Sequence, residues 1–240
     1  MCLYNESSNL KNKLEHIFFK KFKTAFLQAM QATGNEQIDA KLLAYKHNKR
    51  IPPSIELNVL KALCFYPELK NTCIHFLFKD NIKTSVMQAQ PVFTSLLQDR
   101  RKRRYRINIS ECCKLINTSI PIEQIPDDVM IGWIGHELGH ILDYERRSNA
   151  GMVRFGYRYF FSSAYVKVAE RAADTFAVER GLGKYIIATK RFILDHAELP
   201  QTYKDKIAKL YLSPDTIIEQ VKLLEEKKLQ EQQAQSVNLN

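Results

Sequence analysis

The feature that most constrains this chain is a His-Glu-x-x-His sequence, His136 to His140, set among apolar residues such as Ile134 and Ile141. The spacing of these apolar residues predicts an amphipathic helix over residues 127–147. Residues four apart lie on one face of a helix, so both imidazoles can approach one cation. Zinc takes nitrogen ligands of this kind. The sequence therefore predicts a zinc site on a helix that packs into a core.

A carboxylate lies next to the first of these histidines, at Glu137. It can sit beside the metal without binding it, which is the position of a general base that takes a proton from a metal-bound water. Three polar side chains on a helix framed by apolar residues are costly unless they are paired or bind a metal. The alternative interpretation is a pair of surface histidines with no special role.

Two histidines leave a zinc site incomplete, because catalytic zinc has three protein ligands and a water. Glu170 and Asp174 lie four apart in a segment, residues 163–180, that we predict to be helical. Glu170 can complete the site, and Asp174 can accept the free N–H of a ligating imidazole. The small residues Ala173 and Ala177 would let the two helices approach closely. The alternative interpretation places Glu170 and Asp174 on a solvated face.

The two motifs together resemble those of the gluzincin metallopeptidases, especially the small soluble kind called minigluzincins. The resemblance implies a zinc-dependent endopeptidase with one Zn²⁺ per chain, acting on a peptide or protein substrate. It implies that His136, His140 and Glu170 bind the zinc, that Glu137 is the general base, and that Asp174 is the partner of a zinc-bound histidine. The residues that carry it are His136, Glu137, His140, Glu170, Ala173, Asp174 and Ala177.

The fold that this resemblance implies is α+β and mostly helical, with a small mixed or antiparallel sheet above two zinc-bearing helices. Tyr105, Ile107 and Ile109 alternate with polar residues, which is typical of a half-buried strand. Because this strand closely precedes the first motif, we assign it to the sheet edge where a peptide substrate would add a strand. We also expect residues 92–97 to pair with it.

The chain divides, in our prediction, into three parts. Residues 1–70 form a helical N-terminal segment, residues 71–212 a zincin-like catalytic domain, and residues 213–240 a tail that is helical and then disordered. The N-terminal segment has apolar residues at helical spacing but matches no motif. It is a candidate lid over the cleft, which would make the enzyme latent. Gly151 and Gly156 predict a loop after the first motif.

Peptide hydrolysis through this mechanism also needs a donor that stabilises the oxyanion. The resemblance implies a Tyr, His or Arg side chain in this role, but no motif fixes which one. Our candidates are Tyr157, Tyr159, Tyr165 and His196. A tyrosine in this part of the chain can equally belong to the core or to the wall of a cleft.

Two other function classes remain open, and the charge of the chain points to the first of them. The 240 residues carry a net charge of +10, and the basic excess lies entirely in residues 1–110. Six of the seven residues 100–106 are basic. A nucleic-acid-associated metalloprotease would use such residues on phosphates. A non-hydrolytic scaffold that only binds a metal is the second alternative, and a solvated loop is the plain interpretation of the basic run.

The cysteines and the hydropathy of the chain indicate its compartment. Five cysteines without a Cys-x-x-Cys pair make a disulfide framework improbable, so we expect a reducing compartment, the cytoplasm. No apolar run approaches the roughly 18 residues that cross a bilayer. We therefore expect no membrane partner.

Overall fold

The computed structural model describes residues 40–80, 82, 85–114, 117, 119–196 and 198–237. Residues 40–240 belong to one compact unit. Residues 40–70 are thus part of the same unit as the sheet and both motifs. Residues 1–39, which hold most of the predicted N-terminal segment and the candidate lid, lie outside the described residues.

The described residues are mostly helical, with a small mixed sheet, so the predicted α+β class is confirmed. The helices are α1 (Ala40–Leu43), α2 (Glu56–Leu63), α3 (Asp127–Arg146), α4 (Asn149–Phe161), α5 (Ser163–Ala177), α6 (Gly183–Asp195), α7 (Gln201–Leu210) and α8 (Pro214–Val237). The strands are β1 (Lys49–Arg50), β2 (Cys73–Lys79), β3 (Met87–Pro91), β4 (Arg104–Ser110), β5 (Cys112–Lys114) and β6 (Ser119–Pro121).

The main sheet has the strand order β1-β2-β4-β3, and β5 and β6 form a separate pair. Strands β1, β2 and β4 are parallel, and β3 runs antiparallel to β4. Tyr105, Ile107 and Ile109 therefore lie in an inner strand and are fully buried. Our assignment of this strand to the substrate edge was wrong, because its backbone groups are already paired with β2 and β3. The edge strand on that side is β3.

The pairing expected for residues 92–97 is also wrong. Phe93–Leu97 forms a 3₁₀ helix, and the preceding segment, β3, pairs with β4 instead. Ser95 stabilises the turn, because its hydroxyl donates to the carbonyl of Val92 at 2.6 Å and accepts the N–H of Arg104 at 3.1 Å. A side chain that bonds to nearby backbone in this way favours a turn over a strand.

The loop predicted from Gly151 and Gly156 is a helix, α4. Ser148 caps its first turn by accepting the N–H of Gly151 at 3.0 Å. Met152 and Phe155 are buried and hold one face of the helix against the rest of the protein. The cap and this apolar contact outweigh the intrinsic cost of two glycines.

Helix α3, which carries the first motif, has fifteen of its twenty residues buried. A β-carbon added to Gly139 would lie 2.6 Å from the carbonyl oxygen of Ala173, so α3 and α5 touch through their backbones. Tyr66, which follows α2, is fully buried and donates to the carbonyl of Gly135 at 2.6 Å. Residues 40–70 thus contribute directly to the packing around the motif.

The basic run at residues 100–106 does not form a uniform solvated surface. Arg103 is buried and donates to the carbonyls of Tyr144 and Arg147 at 3.0 and 2.8 Å, at the C-terminal end of α3. A cation there compensates the free carbonyls and the negative end of the helix dipole. At least one of the six basic residues therefore has a structural role.

The second motif helix, α5, ends at Ala177, three residues before the predicted end, and Val178–Leu182 forms a π-helical turn. Gly181 adopts a φ of 93°, which a residue with a β-carbon rarely takes, and separates α5 from α6. The tail that we expected to lose its structure is helical as far as Val237. No disulfide joins the cysteines in the part of the chain that the structure describes. None of the described helices combines the length and the apolar character that a bilayer crossing requires.

Candidate metal site and cleft

Three buried side chains from the two motif helices converge on one point. The Nε2 atom of His136 lies 3.1 Å from Oε2 of Glu170, and Nε2 of His140 lies 3.3 Å from the same oxygen. One ligand atom from each residue lies within 4.8 Å of the other two. We call His136, His140 and Glu170 the three-donor cluster. The cluster can hold a metal ion.

The cluster exists because α3 and α5 pack closely. The two histidines lie one turn apart on α3, and Glu170 projects from α5. Gly139 on α3 and the fully buried Ala173 on α5 bring the two backbones together next to these side chains. A larger residue at either position would separate the histidines from the carboxylate.

Asp174 orients the first histidine. Its Oδ1 atom lies 2.8 Å from Nδ1 of His136. A carboxylate in this position holds the proton on Nδ1 and leaves Nε2 free to bind a metal. Its Oδ2 atom accepts the N–H of Leu212 at 3.1 Å and lies 3.0 Å from Nζ of Lys190. Asp174 and Lys190 are both buried, so they form an internal ion pair.

The electrostatics of the site favour a cation. Burial opposes ionisation of Glu170, but the two histidines hold its pKa well below its ordinary value. Burial likewise opposes ionisation of Asp174, but Lys190 and His136 lower its pKa. Burial alone would lower the pKa of His136, whereas Asp174 and Glu170 raise it to about 10. Two ionised carboxylates thus surround the imidazole, and a metal ion would satisfy the same charges.

Glu137 lies beside the cluster without being part of it. Its Oε2 atom accepts the backbone N–H of Ala89, in the edge strand β3, at 2.6 Å. The carboxyl is buried, and burial raises its pKa although the nearby histidines oppose the shift. A carboxylate whose pKa is raised is a stronger base than a solvated one, which suits a group that takes a proton from water.

Two members of the cluster, His140 and Glu170, line a cleft of about 850 Å³. Glu137 lines the same cleft. One wall is strand β3, and the other walls come from α4 and from the 3₁₀ helix Phe93–Leu97. A volume of this size is typical of a ligand site. The edge of the sheet and the candidate metal site therefore open into the same space.

Three tyrosines surround the cluster. Tyr159 donates its hydroxyl to Oε1 of Glu170 at 2.7 Å. The ring of Tyr211 lies 5.3 Å from the ring of His136, and the ring of Tyr144 stacks on that of His140 at 6.1 Å. Burial and the negative charge of Glu170 raise the pKa values of Tyr159 and Tyr211. Both hydroxyls therefore keep their protons and can act as hydrogen-bond donors.

The other oxyanion candidates lie further away. Tyr157 is 66 % exposed and lines the outer part of the cleft. Tyr165 packs against the ring of Phe155, and His196 packs against the ring of Phe192. Neither Tyr165 nor His196 lines the cleft. Of the four candidates, the structure brings only Tyr159 into contact with the cluster.

Sequence reasoning missed three residues of the site. Tyr144 follows His140 by four residues, so the spacing of the first motif could have revealed it. Lys190 and Tyr211 come from α6 and from the segment after α7, and no local pattern links them to the motifs.

A scan against protein-family models finds no matching family, and searches of curated proteins and of solved structures find no significant match.

Proposed function

We propose that this protein is a zinc-dependent endopeptidase of the gluzincin kind. The observation that carries the proposal is the convergence of His136, His140 and Glu170 beside Glu137, next to a cleft bordered by the edge strand β3. A metal site alone would not suggest hydrolysis. The buried carboxyl of Glu137 and the adjacent cleft are the features that suggest it.

The donor set fits zinc better than other common divalent ions. Two imidazole nitrogens and one carboxylate oxygen are the ligands of many catalytic zinc sites, whereas magnesium and calcium prefer oxygen alone. Asp174 would hold His136 in the tautomer that binds a metal. When bound, zinc supplies Lewis acidity, which polarises the peptide carbonyl and makes water a better nucleophile.

The chain's own residues perform the proton transfers in this proposal. Glu137 takes a proton from the attacking water and delivers it to the nitrogen of the leaving amine. Its contact with Ala89 places the carboxyl at the strand beside which a peptide backbone would lie. Tyr159 is the oxyanion candidate that reaches the cluster, and its one hydroxyl proton would have to move from Oε1 of Glu170 to the oxyanion.

The proposed substrate is a peptide or protein in extended form, and the proposed compartment remains the cytoplasm. An extended chain beside β3 would gain backbone hydrogen bonds from the sheet edge. This replaces the inner strand β4 as the predicted substrate strand, since β3 has only one neighbour.

The experiment that tests the proposal compares the zinc-loaded wild-type chain with Glu137→Gln on a mixture of unstructured peptides. We expect cleavage by the wild type, and a loss of about 10²–10⁴-fold in the variant with its zinc content unchanged. Glu226→Gln, at an exposed position of α8, is the matched control and should keep full activity. Equal cleavage by Glu137→Gln would contradict the proposal. Zinc binding without any cleavage would favour the scaffold alternative.

A further inference from the structure

Part of the cleft is lined by apolar side chains that the fold leaves exposed. Phe93 is 73 % exposed, and Val153, Tyr157 and Phe160 on α4 are 66 %, 66 % and 82 % exposed. All four, together with Leu96, line the cleft that contains Glu137 and His140. We call Phe93, Leu96, Val153, Tyr157 and Phe160 the apolar vestibule.

The packing of α4 against the core does not require the apolar side chains of the vestibule. That helix already buries Met152 and Phe155 against the core. Val153, Tyr157 and Phe160 follow each other at intervals of four and three residues, so they form a second apolar stripe on the same helix. Contiguous apolar side chains that remain exposed inside a cleft are typical of a ligand-binding surface.

The backbone of β3 sets where a bound peptide would lie. The carbonyl of Val86 accepts the N–H of Ser110 and the N–H of Val92 donates to Arg104, so these residues face β4. Because hydrogen-bonded positions alternate in an antiparallel pair, Ala89 turns its backbone groups the other way. Its N–H donates to Glu137 at 2.6 Å and its carbonyl accepts the hydroxyl of Tyr144 at 3.4 Å, so a peptide that pairs with β3 at this position would replace these two bonds. A bond to be cleaved near Glu137 therefore lies opposite Ala89.

The direction of the peptide then follows from strand pairing. Antiparallel pairing is somewhat more stable per residue than parallel pairing. A peptide antiparallel to β3 runs from the Pro91 end of the strand toward the Met87 end. Phe93 comes directly after the Pro91 end, and the rest of the vestibule lines the cleft with it. The residues that precede the cleaved bond would thus lie in the vestibule.

We propose that the apolar vestibule selects peptides with a bulky apolar side chain on the N-terminal side of the cleaved bond. The proposal rests on the proposed function for the identity of the bond. The vestibule itself, its exposure and its place at one end of β3 are independent of any reaction. Binding can therefore be tested without cleavage.

The test uses the zinc-loaded full chain with Glu137→Gln and two fluorescent peptides that resemble the two products. The first ends in Ala-Ala-Ala-Phe with a free carboxylate, and the second begins with Phe-Ala-Ala-Ala and ends in an amide. Binding is followed by fluorescence anisotropy. We expect the first peptide to bind about tenfold more tightly than its version with Ala in place of Phe, as burial of an aromatic side chain provides.

In the double variant Phe93→Ser/Tyr157→Ser, the same measurement should show that the tenfold preference is lost. The affinity for the second peptide should stay unchanged. Both positions are exposed, so unchanged zinc content and melting temperature would show that the variant folds. Val168→Ser is the matched control, since Val168 is 61 % exposed and does not line the cleft. It should keep the preference.

Three results would overturn the proposal. If only the second peptide responds to the vestibule substitutions, the peptide runs parallel to β3. If neither peptide responds, the vestibule does not bind substrate. If the substitutions change only the sedimentation of the protein, the vestibule is a contact between copies of the chain. Selective binding of the first peptide together with no cleavage by the wild type would support the vestibule and contradict only the proposed function.

Discussion

Asp174 connects the candidate metal site to a buried charge. It contacts His136 with one oxygen and both Lys190 and the N–H of Leu212 with the other. Asp174→Asn should weaken zinc binding by about 10–100-fold, because His136 loses the partner that fixes its tautomer. It should also lower the free energy of unfolding by about 3–5 kcal/mol, because Lys190 stays buried without a counter-charge. Competition with a chromophoric chelator and urea unfolding measure the two effects.

The double variant Asp174→Asn/Lys190→Met separates these effects. It removes the uncompensated charge, so much of the stability should return while zinc binding stays weak. Zinc affinity at the wild-type level in Asp174→Asn would show that the contact with His136 does not orient a metal ligand.

The raised pKa of His136 makes metal binding pH-dependent. In the metal-free chain its pKa is about 10, against an ordinary value of 6.5, because Asp174 and Glu170 outweigh the effect of burial. Zinc must displace this proton, so we expect about one proton released per zinc at pH 7.5 and an affinity that rises about tenfold per pH unit. Titration calorimetry in buffers of different ionisation enthalpy counts the protons.

The same shift has a consequence for stability with a definite sign. A folded-state pKa above the unfolded value stabilises the metal-free chain fully below about pH 6.5, and this contribution is lost as the pH rises toward 10. Urea unfolding across this range should therefore show a decline. Zinc binding without proton release, or a rise in stability, would contradict the assignment of the charges.

At the residue scale, the sequence predicted most of the site. His136 and His140, and then Glu170 and Asp174, were found because each pair lies four apart on a helix. Because this spacing joins residues that are close in the chain, it can be recognised from one sequence without an alignment. Lys190 and Tyr211 were not found, because they reach the site only through the packing of separate elements.

At the scale of the elements, the site depends on the contact between α3 and α5. Gly139→Ala would place a β-carbon 2.6 Å from the carbonyl oxygen of Ala173. We expect this overpacking to lower the free energy of unfolding by about 1–3 kcal/mol, and to weaken zinc binding because the helices separate. Urea unfolding and chelator competition measure the changes.

Gly156→Ala in α4 is the matched control. A β-carbon at Gly156 meets nothing within 4 Å. Alanine should stabilise the helix there by about 0.5–1 kcal/mol, because glycine loses more conformational freedom on folding. If both substitutions had the same effect, the close approach at Gly139 would not be important for the site.

The placement of β4 and the helix α4 were not predicted for two different physical reasons. Alternation in β4 shows which faces of a strand are buried, but it contains no information on which strands lie next to it. The assignment of Tyr105, Ile107 and Ile109 to the sheet edge failed for this reason. Helix α4 was missed because two glycines weaken the local signal, whereas its cap and two buried side chains stabilise the helix.

At the scale of the whole molecule, several elements that are distant in sequence pack against helix α3. Residues 40–70 contact α3 through Tyr66, and Arg103 of the basic run binds its C-terminal end. We predicted a boundary at residue 70, because the spacing of apolar residues changes there from a helical to a strand-like pattern. It could not show that residues on both sides of that position pack on the same helix, because such contacts are distant in sequence.

The most direct test of the central claim is the metal content of the full chain by elemental mass spectrometry. Wild type, Glu170→Ala and the control Glu179→Ala are purified without a histidine tag, added metal or chelator. Glu179 is exposed, near the end of α5. We predict about one zinc per chain in the wild type and in Glu179→Ala, and a strong reduction in Glu170→Ala. No zinc in the wild type after zinc addition and dialysis, or equal zinc in Glu170→Ala, would contradict the three-donor cluster as a metal site.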